Sequence, residues 1–300
     1  MTMLLAKNGT ARGLDWNKDP LAEFSQLRAG APIPKPVGTP VLFTAPEQEY
    51  ESLLNPLPLH HVYQSFWRLG WAASMYCGPA AVTESLSFLK WFRKPSFSLL
   101  KWFGANPVVP SPGKDDYLYS QALEFVKILK TDPWIEPGID QFITDPANIV
   151  KGLRGYFKDS GYSKPWVYAR GLRAFDAPEG KTLEEMRKPV TLEEIRDYSK
   201  KGFGVILLVG YYSLWGENKH RHGGHYLPVF GYRYNNAWRE NRTDFLVTDS
   251  LILPKKQPRK ISITPITKNP KWTYPNHVAH KIDGDDEVYL DTAIFFIPDN

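Results

Sequence analysis

The residue of this chain best suited to nucleophilic chemistry is its single cysteine, Cys77. A thiol attacks as the thiolate, and a helix start favours that form, because unpaired N–H groups and the macrodipole attract negative charge. Gly78 and Pro79 follow Cys77, and Val82, Leu86 and Leu89 then recur at helical spacing through Phe92. Pro79 fits a first helical turn, where its missing N–H costs nothing. Gly78 lets a substrate backbone come close and leaves an amide for an oxyanion. The alternative is a small buried cysteine ahead of an ordinary helix.

A thiol needs a base. His60 and His61 sit in a Pro-rich stretch and His277 and His280 in a basic one, while His220, His222 and His225 flank Gly223-Gly224. Of these, His225 directly precedes an alternating strand and follows two glycines that clear space around it. A later strand, Phe245 to Asp249, ends in a carboxylate. If the two strands form an antiparallel hairpin with His225 opposite Asp249, Leu227 falls opposite Val247 and Val229 opposite Phe245. The register that suits the chemistry then also suits the packing, and a slip of one residue would mix the faces. Asp249 would hold the imidazole in the required tautomer. Asp244 is a rival carboxylate at the far end of the strand. The cluster His220, His222 and His225 also permits zinc, but its spacing matches no defensible ligand motif, so neither metal nor cofactor is expected.

Several elements must position these groups. The chain has 300 residues, enough for a sizeable core. Prolines at 32, 34, 36, 40, 46, 56 and 58 make residues 1–58 an extension and leave 59–300 as the folded domain. Helices are predicted over Gly78–Phe92, about Tyr117–Leu129, from Asp145-Pro146 to Gly161, and from Thr191 to Gly202. In the last, Thr191 and Glu194 have capping-box spacing. Strands are predicted over Gly204–Tyr212, His225–Tyr234, Phe245–Asp249 and Val288–Ile297. Helices first and an antiparallel sheet second make an α+β arrangement.

A net charge of +5 is too small to argue for nucleic acid. From Leu251 to His280 there is no acidic residue, while Lys255, Lys256, Arg259, Lys260, Lys268 and Lys271 fall there. This stretch reads as a solvated excursion. One cysteine excludes an internal disulfide and a cysteine-built metal site. No apolar run has the length of a membrane helix and no signal peptide is readable, which leaves the compartment open.

The stretches CGPAAV at 77–82, GGHYLPVFGY at 223–232 and FLVTDS at 245–250 together resemble the papain-clan cysteine peptidases that process bacteriocin leaders. The chain resembles that family's standalone relatives more closely, over roughly residues 60–250. It implies a papain-like α+β fold, with the cysteine at a helix start and an antiparallel sheet carrying histidine and aspartate. It also implies hydrolysis of a peptide or isopeptide bond through a thioester, with Cys77 as nucleophile, His225 as base and Asp249 as orienting group. The expected partner is a peptide or protein substrate. Papain-like enzymes often carry an oxyanion-hole glutamine six residues before the nucleophile. Trp71 stands there, and Gln64, thirteen residues upstream, is the candidate instead. Resolution of the thioester by an amine would make an acyl or peptidyl transferase, as in the phytochelatin synthases, which share a similar Gly-His strand and later aspartate. A binding protein that has lost the chemistry is the non-enzymatic alternative. The helices between Cys77 and His225 are expected to cover one side of a cleft and shape substrate choice.

Overall fold

The computed structural model describes residues 77–89, 137–138, 143–215, 218–235, 242–251, 259–266, 279–282 and 287–298. The Pro-rich extension, the helix predicted near Tyr117–Leu129, Gln64 and Trp71 lie outside the described residues.

Helix α1 (Cys77–Phe88) begins at the cysteine, as the Gly-Pro pair predicts. All of its residues from Cys77 to Leu86 are buried, Thr83, Glu84 and Ser85 included. A helix buried all round belongs inside a core and not on its surface. A short hairpin follows, β1 (Pro137–Gly138) with β2 (Ile143–Thr144). Helix α2 (Pro146–Asp159) has Asp145 as N-cap, its side chain accepting the Ala147 N–H at 2.8 Å. Ile149, Leu153, Tyr156 and Phe157 are fully buried, as their spacing requires, and Gly161 takes a φ of 95° just beyond the end. Strand β3 (Trp166–Gly171) and a five-residue helix, α3 (Leu183–Arg187), lead to α4 (Leu192–Lys200). Thr191 and Glu194 form a complete capping box on α4, and Gly202 has a φ of 84° after it.

The rest of the described chain is strand: β4 (Gly204–Trp215), β5 (Asn218–Asn235), β6 (Arg242–Val247), β7 (Arg259–Pro265), β8 (His280–Ile282) and β9 (Val288–Ile297). All pair antiparallel, in the order β3-β9-β4-β5-β6-β7-β8, and β8 also pairs with β9. Six strands therefore close on themselves, with β3 added along the outer side of β9.

This corrects the expected papain-like α+β fold. The described residues form a closed antiparallel six-strand β-barrel with few helices, not a helical part followed by an open sheet. Two features account for the difference. The first is the basic stretch read as a solvated excursion. Its residues Arg259–Pro265 form β7, in which Ile261 and Ile263 are buried, and the pairing of β7 with β6 and β8 carries the sheet round towards β9. The second is β9, whose residues are buried without exception and which bonds to β3, β4 and β8. A strand with no polar face is stable only when covered on both sides, and barrel closure removes the exposed edges of an open sheet. Among the described residues no helix is long and apolar enough to cross a membrane.

Candidate active site

Cys77 opens α1, and Val82 and Leu86 of the same helix, with Leu89 just beyond it, are locked into the main core. The N–H groups of a first helical turn have no intrahelical acceptor, so the start of α1 presents donors beside the sulfur. The thiol residue is itself buried, 4% exposed.

His225 lies inside β5, opposite Val209 of β4, and is 3% exposed. Its Nε2 meets Asp249 Oδ1 at 2.9 Å. Cys77 lies near enough to the same ring to add to its hold on a proton. With Nε2 turned to Asp249, Nδ1 is the nitrogen left for the thiol. The three residues predicted from sequence are thus brought together.

They meet by a different register from the expected one. Val229 faces Val247 instead of Phe245, and Phe245 faces Tyr232. Leu227 has no partner on β6, which ends at Val247. The slip at Val229 is two residues, and an even slip leaves every side chain on its original face. A bulge at Phe230 then returns Tyr232 to the face of Val229, and both join the core. Pro228 has no N–H to extend the ladder past Val229. The chain leaves β6 at Val247, and Asp249 comes back to His225 from a turn and not from a strand. That turn is held by Asp249 itself, whose Oδ1 accepts the Leu251 N–H at 3.0 Å.

Gly223 and Gly224 were expected to clear space around His225. A Cβ on Gly224 would instead stand 2.3 Å from Arg221 Nη2 and 2.8 Å from the Val209 carbonyl. The space serves Arg221, whose Nε donates to the fully buried Asp291 at 2.6 Å. Tyr212 donates its hydroxyl to the other oxygen of Asp291, also at 2.6 Å. Burial and the neighbouring Asp291 carboxylate push the Tyr212 hydroxyl well above its ordinary range.

Two groups near the triad were not legible in the sequence. Arg259, at the start of β7, donates from Nη1 to Asp249 Oδ2 at 2.5 Å. Glu84, two turns along α1 from Cys77, accepts a hydrogen bond from the Thr248 hydroxyl. Thr248 precedes Asp249, so this bond ties the helix that Cys77 opens to the turn that carries Asp249. Glu84 follows no cue beyond helical spacing, and Arg259 lay within a run of like charges.

Electrostatics favours a charged pair. Burial opposes protonation of His225, but the bonds and charges of Asp249 and Cys77 outweigh it and raise its pKa to about 10. Burial likewise opposes ionisation of Asp249. The His225 bond and charge, the Leu251 N–H and Arg259 outweigh it and hold Asp249 at about 2. Near neutral pH the imidazolium–carboxylate form is therefore the stable one.

The rival carboxylate, Asp244, is engaged elsewhere: it accepts from Arg242 at 3.0 Å and Ser262 at 2.5 Å, and Lys260 lies 3.7 Å away. His220 and His222 are themselves exposed on β5, between the buried Lys219 and the half-buried Arg221 and Gly223. Among the described residues no three His, Cys, Asp or Glu side chains gather as a metal site. Asp145, the N-cap of α2, and Cys77 both act on the buried Tyr226, and with burial they push its hydroxyl upward. No protein-family model, no curated protein and no solved structure matches this chain.

Proposed function

We propose that this protein is a thiol-dependent acyl hydrolase, and specifically a cysteine peptidase. The observation that carries the reading is the convergence of Cys77, His225 and Asp249 from a helix start, a strand interior and a turn. The order cysteine, histidine, aspartate along the chain, which the resemblance to papain-clan peptidases rests on, supports the chemistry independently of the barrel.

At rest His225 already carries the proton, an imidazolium that Asp249 stabilises from Nε2 and that pairs with the Cys77 thiolate. The thiolate attacks the substrate carbonyl, and the amide donors of the first turn of α1 would receive the oxyanion. The imidazolium then protonates the leaving amine, giving a thioester. Water, deprotonated by the same imidazole, hydrolyses it and restores the thiol. An amine in place of water turns the same centre into a transferase.

Burial of Cys77 favours a second reading, a closed binding protein without turnover. Intact-mass measurement after incubation with an aldehyde- or chloromethylketone-capped peptide panel separates the two. Adduct formation in the wild type, lost in Cys77→Ala and strongly slowed in His225→Gln, supports the enzyme. A thiol that stays unmodified across the panel while the protein is folded supports the binder.

A further inference from the structure

We propose that Arg259 is a fourth member of the site, a positioning residue that fixes the Asp249 carboxylate so that Oδ1 faces His225. The inference deepens the thiol-hydrolase reading and rests on it for its catalytic meaning, but its geometry stands separately. Asp249 Oδ2 receives Arg259 Nη1 at 2.5 Å, while Oδ1 is shared between His225 Nε2 at 2.9 Å and the Leu251 N–H at 3.0 Å. A carboxylate held at both oxygens cannot rotate about its Cβ–Cγ bond without breaking a charged hydrogen bond.

The origins of the contacts matter. His225 comes from β5 and Arg259 from the first residue of β7, and Arg259 pairs across the sheet with Val247, two residues before Asp249. Asp249 lies in a turn, so no strand ladder orients it. Arg259 is anchored in a strand on one side, and the Glu84–Thr248 bond from α1 holds the preceding residue on the other. The charged and titratable groups around Asp249 include His225, Arg259 and, through Thr248, Glu84, with Cys77 beyond the imidazole. Arg259 is 40% exposed at its side chain whereas Asp249 is 8% exposed. Arginine therefore reaches in from the surface to a buried carboxylate, a geometry that suits its planar fork better than the flexible lysine ammonium.

A purely electrostatic role and a positioning role have opposite consequences. If Arg259 acts only as a nearby positive charge, removing it relieves repulsion on the imidazolium, and His225 holds its proton to higher pH. If Arg259 fixes Asp249, removing it frees the carboxylate to turn from His225, which then gives up its proton at lower pH.

The test is NMR titration of the histidine ring nitrogens in the full-length 15N-labelled chain, with His225 assigned by its loss in His225→Gln. The wild type is expected to show a downfield Nε2–H proton for the Asp249 bond. In Arg259→Met that signal is lost and His225 titrates about one pH unit or more lower. Arg259→Lys recovers the signal in part. Unchanged signal and titration in Arg259→Met, or a shift to higher pH, overturn the proposal. If Arg259→Met does not fold, the same comparison is made between Arg259→Lys and Arg259→Gln, with loss in Gln alone expected and identical spectra overturning it. The readout needs no substrate. Adduct formation that persists in Cys77→Ala sinks the hydrolase reading, while the ring titration still decides the role of Arg259.

Discussion

Replacing Asp249 with asparagine should destabilise the protein most near neutral pH, and less at both extremes. Asp249 is held at about 2 against an ordinary 3.8. At about 1.4 kcal/mol per pH unit, this corresponds to about 2–3 kcal/mol of stability. The carboxylate-side figure is the one to use, because His225 is raised by Cys77 as well and its gain is shared between two partners. The depressed carboxylate contributes its stability above pH 3.8, and that contribution fades as pH falls towards 2. The raised imidazole contributes fully below pH 6.5 and loses its contribution as pH rises through about 10. The wild type should therefore exceed Asp249→Asn by about 2–3 kcal/mol at pH 7. At pH 10.5, where His225 has largely shed its proton, the difference should shrink to about 1 kcal/mol, the worth of the Leu251 and half-exposed Arg259 contacts without the imidazolium. Urea unfolding followed by tryptophan fluorescence at pH 5.5, 7 and 10.5 measures both quantities. A difference independent of pH, or one that grows towards pH 10.5, would refute the assignment of a charged His225–Asp249 pair.

Three further outcomes follow from the packing. Glu84→Gln and Thr248→Val should each cost about 1–3 kcal/mol, and a double-mutant cycle in urea should show coupling of at least about 0.5 kcal/mol, since the two side chains share one buried bond. Gly210→Ala should destabilise by about 3 kcal/mol or more, because its Cβ would lie 2.2 Å from Asp291 Oδ2 and push a buried carboxylate off Tyr212 and Arg221; a melting temperature equal to that of the wild type would contradict this. Thr191→Ala should cost only about 1 kcal/mol through loss of the α4 capping box, and should leave peptide-probe labelling of Cys77 unchanged.

The legible parts of this molecule were those set by neighbours in the chain. Pro146 after Asp145 starts α2, Thr191 and Glu194 cap α4, and Gly-Pro after Cys77 starts α1; each works within one helical turn. The pairing of His225 with Asp249 was legible in kind but not in register. Alternation fixes which face a residue takes, but a two-residue slip preserves the face and leaves no trace in the pattern. The bulge at Phe230 likewise has no local marker. Barrel closure was hidden because it depends on β7 and β8, which are short and lie in a proline-punctuated basic stretch whose charges masked the buried Ile261 and Ile263. Arg259 was hidden for the same reason. Its partner is ten residues back along the chain and is reached only when β6 and β7 pair. The capping box on α3, Thr182 with Glu185, carried the same local signal as that on α4 and was there to be read.

Closure of the sheet also bears on how such a site works. His225 sits within a strand of a closed barrel, and Cys77 lies on a helix buried from Cys77 to Leu86, so both are held by the core. Asp249 alone comes from a turn, and the contacts with Arg259, Leu251 and His225 supply the order that a strand would otherwise give it. On the proposed hydrolase reading, this rigid placement is what proximity catalysis requires.

The most direct test of the account is the rate at which iodoacetamide alkylates Cys77 at pH 6, measured by intact mass on the folded protein. The account predicts alkylation faster than that of glutathione under the same conditions, slowed at least about tenfold in His225→Gln, because the imidazolium holds the thiolate. Alkylation no faster than glutathione and unaffected by His225→Gln would mean that Cys77 is an inert core residue, and the thiol-hydrolase reading would be wrong.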